Sequence, residues 1–137
     1  MNLKKYFQNN KTHLFLILIL IISFFIGIYG LQSEDIWSDE AVTIFNADKS
    51  VWHNIKWSLT DEAYFPLYHI ILSLWVKVFG LVEFSVRFLS LIFGVLSVYV
   101  VFKIGTLMFN KKVGIYSAII LALSSYNVFY LQEARVY

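Results

Sequence analysis

Two short stretches of the chain hold the residues best equipped for chemistry. The first is Ser38-Asp39-Glu40-Ala41. An adjacent acidic pair is ordinarily a solvated surface feature, or an acidic first turn of a helix favoured by the macrodipole. Its position argues for more, because it lies a few residues beyond an apolar run ending at Leu31 and directly after Trp37. A carboxylate there can reach a lipid headgroup. It can take a proton from an acceptor hydroxyl, or hold a divalent cation against a phosphate. Asp39 and Glu40 are therefore the candidate catalytic carboxylates, and Asp39 is the residue with a case for contacting a metal.

The second stretch is Gln132-Glu133-Ala134-Arg135 with Tyr137 just beyond it. Taken alone it reads as a membrane-exit anchor, with Tyr130 and Tyr137 as an aromatic belt. An arginine at that depth also suits a lipid phosphate, since its fork binds oxyanions bidentately, and Glu133 can hold it in place. The other titratable residues are weaker signals. His13, His53 and His69 have no metal-ligand spacing, and Asp61-Glu62 reads as a turn before Pro66. There is no Gly-rich phosphate loop.

The elements that must position these residues follow from where the apolar residues fall. Of 137 residues, 59% are hydrophobic, above the usual half of a soluble domain, and they are bunched into runs. That pattern belongs to a bilayer. The absence of cysteine removes disulfides, thiolate metal sites and a cysteine nucleophile. A net charge of +2 is too small to suggest nucleic acid as a partner.

His13 to Leu31 is uncharged and, as a helix, about 28 Å long, enough to cross the hydrocarbon. It follows Lys4, Lys5 and Lys11 but is too long for a cleaved signal and lacks a small-x-small exit, so it reads as a retained anchor. Residues 86–109 and 113–131 are two further runs, joined by the basic turn Asn110-Lys111-Lys112. Between the first and second spans, 32–85 mixes charge with Trp37, Trp52 and Trp57, as suits a membrane surface. Within it, 66–79 is expected to be a helix, with Pro66 in its first turn, Gly80 as its cap and a polar stripe of His69, Ser73 and Lys77. A lysine inside a span costs about 2.5–3.5 kcal/mol, which favours a helix lying at the interface.

The fold expected is an all-α integral membrane protein of three transmembrane helices, with surface-lying helices in the first outer loop. The positive-inside rule puts the N-terminus in the cytoplasm. Three crossings return Lys103, Lys111 and Lys112 to that side and place both candidate stretches on the outer face. Three helices with a charged lip do not close a bundle around a site, so the chain reads as the N-terminal part of a longer protein.

The order of these segments resembles the N-terminal part of GT-C superfamily glycosyltransferases. The similarity is to the protein O-mannosyltransferase and aminoarabinose-transferase-like families. It rests on Ile36-Trp37-Ser38-Asp39-Glu40-Ala41, Phe65-Pro66-Leu67-Tyr68-His69, Phe79-Gly80-Leu81-Val82-Glu83-Phe84-Ser85-Val86-Arg87 with Ser90 and Gly94, and Ser124 to Tyr137. The resemblance implies transfer of a sugar from a polyprenyl- or dolichyl-phosphate carrier at the outer face of the cell membrane. It implies Asp39 as base or metal-contacting carboxylate, with Glu40 beside it. Arg135 and Glu133, with Tyr137 beyond them, would lie close to the donor phosphate. Membrane lipid, the lipid-linked sugar and an acceptor glycan, lipid or protein are the partners so implied, with a divalent cation as a possible cofactor. A small non-catalytic membrane protein that packs with partner helices is the alternative, and it needs no meeting of the two stretches. A transporter fragment would need an intramembrane carboxylate or a pair of broken helices.

Overall fold

The computed structural model describes residues 3–31, 38–60 and 66–134, with side chains over 11–31, 40–56 and 67–134. Its regular elements are helices: α1 (Leu3–Gly30), α2 (Ser38–Ala47), α3 (Val51–Thr60), α4 (Pro66–Phe79), α5 (Glu83–Met108), α6 (Lys111–Ala122) and α7 (Ser125–Gln132). The all-α membrane fold expected from the sequence is the one observed.

Helices α1 and α5 are each long and apolar enough to cross a membrane, α1 over Lys11–Gly30 and α5 over its full length. Their outward side chains, among them Phe15, Leu18, Phe25, Leu96 and Leu107, are exposed. Such continuous apolar surface suits hydrocarbon and would be a liability in water. Their inward sides meet around Leu16, Ile19, Val98, Phe102, Ala118 and Ala122. Lipid offers helices no hydrophobic drive to associate, so close approach through small residues does that work. At the α5–α6 contact a Cβ on Gly105 would lie 3.0 Å from the Gly114 Cα. The hairpin between these helices turns at Asn110, whose side chain accepts from the amides of Lys112 (3.0 Å) and Val113 (3.1 Å). That side chain satisfies two of the amides a helix start leaves open.

The third apolar run departs from expectation. It is a pair of helices, α6 and α7, bent by 59° at Leu123-Ser124, and only the two together are long enough to cross. The break falls where Ser124 turns extended (φ −65°, ψ 126°) as the cap residue that starts α7. The last amides of α6 tighten there: Ser124 N–H donates to the Leu121 carbonyl at 3.1 Å. After the bend Leu131 packs against Gly94, where a Cβ would collide with its Cδ2, while a Cβ on Gly27 would collide with Leu91.

The loop helices sit at one end of this bundle. At 14 residues, α4 is about 21 Å long, short of the ~30 Å hydrocarbon. Gly80 ends it with a φ of +85°, a conformation glycine adopts without strain, and its amide closes on the Val76 carbonyl at 2.8 Å. Trp75 Nε1 donates to the Ser85 carbonyl at 2.9 Å, fixing α4 against the start of α5. The polar stripe of α4 divides: His69 and Ser73 are fully buried and only Lys77 is exposed. Ser73 meets α3, where Asn54 donates its side-chain amide to the Ser73 hydroxyl.

Candidate functional site

Arg87, in the first turns of α5, is the organising residue. Its Nε donates to Glu40 Oε1 at 2.7 Å and a terminal nitrogen to Glu40 Oε2 at 2.8 Å. The other terminal nitrogen reaches the Leu31 carbonyl at 2.8 Å and Glu83 at 2.6 Å, one helical turn back. Arg87 is 2% exposed and Glu40 1%. A bidentate charge-assisted pair is the arrangement in which a guanidinium can be buried, since each of its donors is directed at an oxygen. The carbonyl at the end of α1 has no helical partner of its own, and Arg87 supplies one.

Glu40 has a further partner. Its Oε1 also accepts the backbone amide of Ala134 at 3.0 Å. This single carboxylate therefore joins the start of α2 to the segment after α7, and Arg87 joins both to the end of α1. The contact lies one residue from Asp39 on one side and one residue from Arg135 on the other. Asp39 stands in the first turn of α2, although its side chain is not among those described. Arg135 and Tyr137 lie outside the described residues. Glu133 is buried beside this cluster and acts electrostatically on Arg87. Glu40, Glu83 and Glu133 thus place three carboxylates around Arg87.

Both oxygens of Glu40 are engaged, which gives it the role of a brace beside Asp39. Among the described residues no three histidine or acidic side chains form a metal-holding group. Asp39 as a metal contact lies outside what those side chains can test.

A cavity of about 490 Å³ opens beside the brace, between α4, α5 and the bend of α6–α7. Tyr68, Phe93, Tyr126 and Tyr130 give it aromatic walls, with Ser90 and Asn127 as polar points. A mostly apolar recess with few polar groups is the usual form of a small-molecule site. The Tyr68 hydroxyl pairs with Ser90 Oγ at 2.7 Å. Burial pushes the Tyr68 hydroxyl up to about 12, the Ser90 bond opposes this, and the Glu40 charge adds to it. Tyr68 is a neutral hydrogen-bonding group at pH 7, not a base.

Residues 61–134 match the family model of the dolichyl-phosphate-mannose-protein mannosyltransferases. The chain belongs to that family. It is accordingly a mannosyltransferase-like membrane glycosyltransferase of the GT-C type. No curated protein and no solved structure matches it. The matched region contains Arg87, the lining of the cavity and Glu133, and ends at the residue whose amide Glu40 accepts.

Sequence reasoning placed Arg87 in a segment that carries the family resemblance and gave it no role in the site. A signal was present: a lone arginine opening a span needs a buried partner or a route to water. The cavity left no such signal, because its walls come from four helices spread over the sequence.

Proposed function

We propose that the chain forms part of the active site of an enzyme that moves a sugar from a polyprenyl- or dolichyl-phosphate carrier to an acceptor hydroxyl at the outer membrane face. The observation that carries this reading is the Glu40 brace, which ties the Asp39 stretch to the Glu133–Arg135 stretch across 94 residues of sequence. A non-catalytic packing protein has no need of that junction. In the proposed reaction Asp39 takes the proton of the acceptor hydroxyl as its oxygen attacks the anomeric carbon. The bond to the carrier phosphate breaks, and Arg135 meets the phosphate charge, with Glu133 orienting it. Glu40 keeps Asp39 at the correct distance. The aromatic cavity is suited to the apolar part of the carrier nearest the phosphate.

The test is Asp39→Asn, expressed in its natural reading frame and assayed in membranes with a lipid-phosphate sugar donor. The change keeps size and removes the charge that a base or metal ligand needs. Loss of a general base costs about a hundred- to ten-thousand-fold in rate. Glu40→Gln should lose less, since its amide oxygen can still accept the Ala134 amide. Near-normal transfer by Asp39→Asn at normal protein levels would remove Asp39 from the reaction.

A further inference from the structure

Two of the loop helices, α2 and α3, bury polar residues and expose aromatic ones. Helix α2 buries Glu40, Thr43 and Asn46 and exposes Val42 (39%) and Phe45 (66%). Helix α3 buries Asn54 completely and exposes Trp52 (65%). A helix facing water does the opposite. The inward polarity is explained by the Arg87–Glu40 brace and the Asn54–Ser73 bond, but the outward apolarity needs a partner.

Three observations identify that partner. The first is depth. Arg87 binds both the Leu31 carbonyl, where α1 ends, and Glu40 in the first turn of α2. The α1 span ends at Gly30 and the α5 span begins at Glu83, four residues before Arg87, so α2 starts at the level of the hydrocarbon boundary. The second is a repeated side-chain pair. Lys49 Nζ lies 4.5 Å from the Phe45 ring centre and Lys56 Nζ 5.6 Å from that of Trp52. Each is an aromatic residue with a lysine four residues later, which places an apolar ring beneath a cation. The third is charge. Those lysines stand beside the exposed apolar groups, with Asp48 as the acidic neighbour between the two helices.

We propose that the outward face of α2 and α3 is a lipid-binding surface, with Phe45 and Trp52 in the leaflet and Lys49 and Lys56 holding anionic phosphate headgroups. Aromatic rings prefer this depth, and each lysine near an anionic surface strengthens binding roughly fivefold. The same helix carries Asp39, so the surface also sets how the proposed base sits above the membrane. The proposal rests on the fold and stands whether or not Asp39 is the base.

The chain has no cysteine, so Val42→Cys and His53→Cys each accept one fluorophore and leave both lysine–ring pairs intact. The labelled protein is placed in phosphatidylcholine vesicles that contain spin-labelled phosphatidylcholine or spin-labelled phosphatidylglycerol. Both probes should be quenched by lipid, and the anionic lipid should quench roughly two- to fivefold better at equal content. Lys49→Gln combined with Lys56→Gln should bring that ratio to one while quenching by the zwitterionic lipid persists, which also shows that the helices remain folded in place. Quenching by aqueous iodide with none by lipid would overturn the proposal, as would protection from both, which would mean that protein covers the face. A ratio of one in the unaltered pair would equally overturn the headgroup assignment.

Discussion

Arg87 grips both oxygens of Glu40, at 2.7 and 2.8 Å, across 47 residues of sequence and at 1–2% exposure. Removing one member breaks a buried ion pair, which costs about 3–5 kcal/mol, although Arg87 keeps Glu83 when Glu40 is lost. Arg87→Leu and Glu40→Leu should each destabilise the protein by that order in detergent unfolding, and the double variant by much less than their sum. Arg87→Lys should also fall short, because one ammonium cannot serve Glu40, Glu83 and the Leu31 carbonyl together. Additive single effects would show that the pair is not coupled.

Acid should weaken the loop helices through His69. Burial of this fully enclosed imidazole lowers its pKa from the ordinary value of 6.5. The unfolded chain then takes up the proton first as pH falls. Stability is complete above about pH 6.5 and declines from there towards the lowered folded value. Thermal unfolding followed from pH 8 to pH 5 should show this decline, and His69→Gln should flatten it. An unchanged slope in His69→Gln would assign the acid sensitivity elsewhere.

The α5–α6 hairpin should not tolerate a side chain at its closest approach. A Cβ on Gly114 would come within 2.7 Å of the Phe102 carbonyl oxygen and 3.1 Å of the Thr106 amide. Backbone atoms cannot give way as side chains do, so Gly114→Ala should cost about 1–3 kcal/mol, as overpacking does. Gly114→Val should cost more. Gly80 supplies the contrast: a Cβ there meets nothing within 4 Å, so any loss in Gly80→Ala comes from its positive φ alone. Equal unfolding temperatures for Gly114→Ala and the parent would show that the helices are not held at this distance.

Orientation is open to direct measurement in a chain without cysteine. If three crossings place the loop outside, a membrane-impermeant maleimide should label Asp48→Cys in intact cells and miss Lys111→Cys until the membrane is opened. Both positions are exposed in the fold. Labelling of position 111 from outside would reverse or recount the spans.

What could be read from the sequence was whatever depends on neighbouring residues. The first span was legible because a lipid-facing helix must be apolar over its whole length, and nothing between His13 and Leu31 is charged. Pro66 and Gly80 marked the ends of α4 for reasons local to the backbone. The break at Leu123-Ser124 was not legible, because two serines scarcely alter the hydropathy of a long run. The partner of Glu40 was hidden for another reason. Its choice of Arg87 over nearer cations depends on three helices meeting, and no spacing rule spans 47 residues. The inward turn of His69 and Ser73 escaped in the same way, since a polar stripe looks alike whether it faces water or Asn54.

The bond between Glu40 and the Ala134 amide also has a meaning in time. At about 5–20 residues per second, a ribosome needs roughly 5–20 s to go from one residue to the other. During that interval α1 can already be in the membrane, while Arg87 is made only halfway through it and Ala134 only at its end. The Glu40 carboxylate must wait in water near the translocation machinery, and α2 cannot settle until the third apolar run has been made. The order of synthesis thus makes this junction the last part of the described fold to close.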